Sequence, residues 1–118
     1  MSETATPAGT RTTQQVFAHH LAAFGEGLDS LVSDYAANAC ICLNDQTIIG
    51  HQGIRLFFDG FLKGIRPGFW DGFKVLREEC RGDVAYLVWE APPFVRMATD
   101  TLLVRDGKIQ VQTFTVLA

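Results

Sequence analysis

Asp100 and Gln112 lie in MATDTLLVRDGKIQVQTFTVLA, two apolar runs with strand-like alternation on either side of a turn. An acid and an amide in such a hairpin have two readings. Facing outward they are ordinary solvated strand residues, with Arg96 or Lys108 as ionic partners for Asp100. Facing inward, Asp100 becomes a carboxylic acid whose proton is held more tightly by burial, able to donate to or accept from a carbonyl or enolate, and Gln112 becomes an amide that orients a ligand. A third polar group, His20, falls on the apolar face of a helical pattern with Val16, Phe17, Leu21 and Phe24. A histidine there is either a hydrogen-bonded core residue or a proton carrier.

The elements that position these groups follow from the hydrophobic period. TTQQVFAHHLAAFGEG predicts a first helix, capped by Thr12 or Thr13 and stopped at Gly25. LDSLVSDYAANA predicts a second, with Leu28, Leu31, Val32 and Tyr35 at helical spacing. ACICLNDQTIIG reads as two short strands around Asn44-Asp45, and HQGIRLFFDGFLKG as a third helix carrying Ile54, Phe57, Phe58, Phe61 and Leu62 on one face. From Phe73 onward the pattern is strand and turn throughout. Helices first and a strand meander after them predict an α+β domain, a curved antiparallel sheet covered by three N-terminal helices that enclose an apolar pocket. Residues 13–118 form this single domain, behind a flexible N-terminal tail at 1–12.

Register decides where Asp100 points. A two-residue Asp106-Gly107 turn sets Asp100 opposite Thr113. A three-residue Arg105-Asp106-Gly107 loop, with glycine in the left-handed position, sets it opposite Gln112 and on a face with Phe114 and Val116. Arg-Asp-Gly suits the second turn better, so the second register is the expected one. A Pro92-Pro93 turn then sets Ala85, Leu87 and Trp89 opposite Asp100, Ala98 and Arg96, which brings Trp89, Leu102 and Phe114 onto the same face.

Composition narrows the function classes. The formal charge is −3, with lysine and arginine scattered, which leaves no electrostatic footprint for nucleic acid or an anionic membrane. The three cysteines read as reduced, since Cys40 and Cys42 stand two apart and no histidine stands at a metal-ligand spacing from them. With no signal-peptide pattern and no apolar run of membrane-spanning length, a cytoplasmic protein is expected.

The order and spacing of FGEGLDSLVSDYAANACICL, GHQGIRLFFDGFL and DTLLVRDGKIQVQTF, from Thr13 to the end, resemble the nuclear transport factor 2-like superfamily. This is the cone-shaped α+β fold of ketosteroid isomerases, SnoaL-like polyketide cyclases and many other small proteins. The resemblance matches the isomerases' oxyanion-hole acid to Asp100 and sets their first-helix tyrosine near His19 or His20, of which helical periodicity selects His20. Their catalytic base falls on Leu43, which cannot accept a proton, and Asp45 stands in a turn.

The resemblance therefore implies acid–base chemistry on a small, largely apolar carbonyl or cyclic substrate, with Asp100 and His20 as a facing proton-transfer pair and Gln112 beside them. Phe17, Phe24, Tyr35, Leu43, Phe57, Phe61, Trp89, Leu102 and Phe114 would form the walls, with Trp70 and Phe73 near the mouth. Taken singly, each aromatic could equally be plain core. No cofactor or metal is required for this chemistry. A homodimer is expected through the outer sheet face that carries Thr99, Leu103, Val111 and Thr113. The alternative, to which Leu43 points, is a binding or dimerisation module that keeps the cone without the reaction.

Overall fold

The computed structural model describes residues 10–117. Helix α1, Thr13–Ala23, opens on a reciprocal cap: the Thr12 hydroxyl accepts from the Gln15 amide at 3.1 Å, and the Gln15 side chain accepts from the Thr12 amide at 2.9 Å. Its Val16, Phe17, His20 and Ala23 are buried, the face the apolar period predicts. Of the expected tail, residues 1–9 lie outside the described residues. Arg11 is tied down, donating to Asp34 and to the Gly107 carbonyl, each at 3.0 Å.

Helix α2, Leu28–Ser33, is shorter than the helix the sequence predicts. Tyr35 opens strand β1, Tyr35–Cys42, because its position satisfies a strand as well as a helical face and the pairing partner decides. That partner is β6, Lys108–Leu117, which runs parallel to β1 and joins it through Tyr35 and Ile109. The Ile109 amide bonds the Asp34 carbonyl at 2.7 Å and the Lys108 ammonium bonds the Ser33 carbonyl at 2.7 Å, which ends the helix there. The sheet is thus not wholly antiparallel as expected.

Strand β2, Thr47–Ile49, folds back on β1, and α3, Gly50–Gly64, follows it directly. A short helix α4, Phe69–Gly72, adds a fourth to the three helices expected. Strands β3, Lys74–Arg81, β4, Val84–Ala91, and β5, Val95–Arg105, complete an open sheet of six strands in the order β2-β1-β6-β5-β4-β3. One sheet face packs on the helices through a core that includes Val16, Leu31, Ile41, Ile54, Leu102 and Ile109.

Both expected registers change, and both changes keep the faces. The β5–β6 turn is the two-residue Asp106-Gly107, with φ of 55° and 72° respectively, and Arg105 opposite Lys108. This is the primed turn that the right-handed twist of strands prefers. An irregularity then leaves Gln110 without a partner, so Leu103 pairs Val111, Leu102 pairs Gln112 and Asp100 pairs Phe114 rather than Gln112. The bulge adds the residue that the three-residue loop would have supplied, and Asp100 still shares a face with Gln112 and Phe114. On the other side, Leu87 pairs Asp100 and Trp89 pairs Ala98. Phe94 joins Pro92 and Pro93 in the connecting loop, its amide bonding the Ala91 carbonyl at 2.8 Å, so Ala91 pairs Val95; an irregularity between Ala91 and Trp89 adds a second step, and the register slides by two, which leaves Arg96 exposed and away from Trp89.

Helix α4 rests against the Pro92-Pro93 loop so closely that a Cβ on Gly72 would stand 2.4 Å from the Pro92 carbonyl oxygen. That neighbour is backbone and cannot swing away. Gly72→Ala is expected to cost about 1–3 kcal/mol, the usual range for overpacking a fitted contact, read as a lower denaturation midpoint in urea with unchanged slope.

Candidate functional site

A cavity of about 300 Å³ lies between α1, α3, α4 and the inner face of the sheet. Phe17, Phe24, Phe57, Phe61, Trp89, Leu102 and Phe114 line it, together with Leu21, Phe58, Phe69, Trp70, Phe73, Val75 and Leu87. Its volume falls at the lower end of small-molecule sites, suited to a ligand of one or two rings. Trp70 is 45% exposed and marks the open side. Two expected wall residues are elsewhere. Leu43 packs on the core at the end of β1, its amide bonded to the Gln46 carbonyl, and Tyr35 sits fully buried behind the lining. Asp45 is exposed.

Among the described residues, three polar side chains reach the cavity: His20, Asp100 and Gln112. Asp100 accepts from Trp89 Nε1 at 2.9 Å on Oδ2 and from Gln112 Nε2 at 2.8 Å on Oδ1. The Trp89 ring that supplies the first donor lies stacked with Phe114, 6.4 Å between centroids and 8° between planes, so packing fixes the direction of the bond. The Gln112 amide is oriented from its other end, where Oε1 accepts from the Tyr35 hydroxyl.

His20 and Asp100 do not form the facing pair that the sequence suggests. Both ring nitrogens of His20 are engaged elsewhere: Nε2 with the Tyr35 hydroxyl at 3.3 Å and Nδ1 with Asp34 Oδ2 at 3.4 Å. Among the described residues, hydrogen bonds connect the two only through Tyr35 and Gln112. Behind them stands Asp34, with no solvent exposure, which also accepts from His19 Nδ1 at 2.7 Å and Arg11 at 3.0 Å. Sequence reading passed over Asp34. The signal available was an acid at the junction of helix and strand, next to a tyrosine on the apolar pattern.

The electrostatics separate the two acids. Burial, the larger influence, pushes the Asp100 carboxyl above its ordinary value of 3.8, and the bonds from Trp89 and Gln112 and the field of His20 offset it only in part. Burial also pushes Asp34 upward, but the hydrogen bonds from His20, His19 and Arg11 together outweigh it and hold the carboxyl below 3.8. Burial, followed by the nearby charges of Asp100 and Asp34, pushes the Tyr35 hydroxyl well above 10.0. Tyr35 is therefore a neutral hydroxyl, Asp34 a fixed anion and Asp100 the acid whose proton is most readily kept.

A six-stranded curved sheet with helices across one face and a polar group at the bottom of an apolar cavity defines the cone fold of nuclear transport factor 2-like proteins. No protein-family model matches the sequence, and no curated protein matches it. Solved structures do. A protein of this fold from Mesorhizobium loti, of unknown function, is 17% identical, with 90% of this chain and 91% of that one covered at a TM-score of 0.73. A candidate ketosteroid isomerase from Kribbella flavida is 17% identical over 94% of this chain and 83% of that one, at 0.67. A de novo designed protein with a curved β-sheet is 17% identical over 89% and 84%, at 0.70. At these identities the likeness is one of fold, and the designed neighbour shows that the fold stands without an inherited reaction.

Among the described residues, no helix is long and apolar enough to cross a membrane, and no group of three or more potential metal-ligating side chains is present.

Asp34 carries a testable consequence. Its carboxyl is held low in the fold, so its contribution to stability is fully present above the ordinary value of 3.8 and is lost as the pH falls through the lower folded value. Asp34→Asn is expected to destabilise the protein by about 3 kcal/mol at neutral pH, the range for removing one partner of a buried ion pair. Urea titrations are expected to show the gap from the natural chain closing below about pH 4.

Proposed function

We propose that this chain is a small-molecule acid–base enzyme of the isomerase or cyclase type, acting on a largely apolar carbonyl or cyclic substrate of one or two rings. The observation that carries this reading is the directionality of the bonds to Asp100. In the orientation shown both protein neighbours donate to it, so a proton placed on Asp100 meets no acceptor among the described residues and is offered to the cavity. A ligand carbonyl placed there receives a hydrogen bond from a neutral acid inside an apolar site, and that bond strengthens as charge develops on the oxygen. Aromatic walls hold the remainder of the substrate and keep water from the reacting end.

One observation favours the second reading, a ligand-binding module. Among the described residues, Asp100 is the only carboxylate at the cavity, and the position expected for a separate base holds Leu43. A site with one acid and no second proton acceptor binds a carbonyl compound without turning it over.

Both readings require Asp100 to meet a ligand oxygen. Titration with 2-naphthol, followed by quenching of Trp70 and Trp89 fluorescence, tests this, because a phenolate resembles an enolate. Asp100→Asn is expected to weaken binding about tenfold or more, as losing a hydrogen bond to a charged group does, and to remove the pH transition of the natural chain. Absence of binding to either protein, or identical binding to both, would sink the proposal. Turnover of carbonyl substrates by the natural chain separates enzyme from binding module.

We also propose that a second copy covers the outer sheet face. Leu103 and Val111 are half-buried there, and Val84, Met97 and Leu117 are exposed around them without a charged residue between them on β5 and β6. Sedimentation equilibrium is expected to give a dimer for the natural chain and a monomer for Leu103→Glu. A monomeric natural chain would refute the dimer alone.

A further inference from the structure

The hydrogen bonds between His20 and Asp100 run in one direction. The Tyr35 hydroxyl has a single proton, and Gln112 Oε1 can only accept, so that proton points at Gln112. His20 Nε2 must then donate to the Tyr35 oxygen, while its Nδ1 faces the ionised Asp34 and must donate as well. In this arrangement His20 carries two ring protons, the Gln112 amide shows its N–H to Asp100, and Asp100 is a carboxylate accepting on both oxygens.

The same four groups admit the reverse order. With no proton on His20 Nε2, the Tyr35 hydroxyl turns to donate to that nitrogen. Its oxygen then accepts from Gln112, whose amide has rotated by half a turn. Gln112 Oε1 now faces Asp100 and, with the cavity free of ligand, accepts from a protonated carboxyl; a ligand oxygen competes for that proton. Each contact along the chain pairs one donor with one acceptor in both orders, whereas a half-reversed chain leaves a buried donor facing a donor or an acceptor facing an acceptor.

We propose that the Tyr35–Gln112 bridge is a reversible polarity relay through which Asp100 and His20 hold one proton between them, on one residue or the other. The two orders contain the same number of protons: one leaves His20 Nε2 and one arrives on Asp100. It travels by water entering at the open side beside Trp70, or Asp100 takes its proton from the ligand while His20 gives its own to water. This deepens the functional reading above and rests on its placing of Asp100 at the ligand. His20 is thereby a positioning residue, setting the proton on Asp100 without touching the substrate.

The groups that face the pair are few. Asp34 faces His20 from the α2–β1 junction, with His19 and Arg11 on its far side, and Tyr35 faces it from β1. Phe24 of α1 and Phe58 of α3 pack on the ring and cannot titrate. Asp100 meets Trp89 of β4 and Gln112 of β6.

The test follows the Asp100 carboxyl carbon by NMR across pH, without ligand, in four proteins: the natural chain, His20→Gln, Tyr35→Phe and the double variant. A relay predicts that His20→Gln raises the Asp100 midpoint by about half a pH unit or more, an interaction of the size that couples titrations, and that the rise falls below half of this when Tyr35→Phe has cut the bridge. An equal rise in both backgrounds, or none in either, overturns the relay, because a field acting through space does not need the hydroxyl.

Should Tyr35→Phe fail to fold, the natural chain decides. The Gln112 side-chain amide resonances and the His20 Nε2 resonance are expected to move over the same pH range as the Asp100 carboxyl. An amide that stays still while Asp100 titrates overturns the proposal. Since no ligand or turnover enters this experiment, its failure leaves the functional reading standing, and failure of the naphthol test leaves the relay standing.

Discussion

The buried carboxylate of Asp34 is the constraint around which the molecule is assembled. An ionised acid without solvent contact survives in a protein only where enough donors converge on it, and here they come from separate parts of the chain. Arg11 arrives from the segment before α1, His19 and His20 from α1 itself, and the acid stands where α2 gives way to β1. Its own carbonyl accepts from Ile109, which seats β1 beside β6. Satisfying one charge thus fixes how the first helix lies across the sheet and where the parallel strand pair begins. Arg11 spends its second donor on the Gly107 carbonyl, so the same arginine also clasps the β5–β6 turn.

From that anchor the polar side chains form a single file through an otherwise apolar interior. Asp34 orients His20, His20 meets Tyr35, Tyr35 orients Gln112, and Gln112 meets Asp100 at the cavity. A chain of this kind has a fixed charge at one end and the cavity acid at the other, with hydrogen-bonding groups between them. The aromatic walls do more than exclude water. Trp89 supplies one of the two N–H donors that orient the acid and stacks with Phe114, so shape and polarity at the reacting end are set by the same ring.

Much of the fold was legible in the sequence because it is written in periodicity. The apolar faces of α1 and α3, the hairpins after Phe73 and the inward side of the sheet follow from spacings of 3.6 and 2. The grouping of Trp89, Asp100, Leu102, Gln112 and Phe114 on one face was correct although neither pairing register was. A shift of two leaves side chains on the same side, and the bulge at Gln110 restored the parity that the shorter turn removed. The end of α2 was not legible, since Tyr35 fits both patterns and only its parallel partner 74 residues on decides. Asp34 was hidden for a related reason: local pattern marks an acid as exposed, and its burial is decided by donors that the fold brings in from elsewhere. The separation of His20 from Asp100 by an intervening tyrosine and amide is likewise a three-dimensional fact with no one-dimensional trace.

The unpaired Gln110 has a consequence for how such a chain tolerates insertions and deletions. Its side chain bonds the Arg105 carbonyl at 2.9 Å, so the extra residue is held in place as part of the hairpin end. Losing that one residue while the turn kept its length would close the bulge and leave the pairs on either side of it intact, Val104 with Ile109 and Leu103 with Val111, so Gln112 and Phe114 would keep their side. Flattening the bulge with its residue kept would instead shift β6 by one against β5 and carry Gln112 and Phe114 to the outer face. In descendants of this sequence a single residue can be lost at the bulge without moving the faces, whereas one inserted into the regular run beyond it needs a second bulge to preserve them.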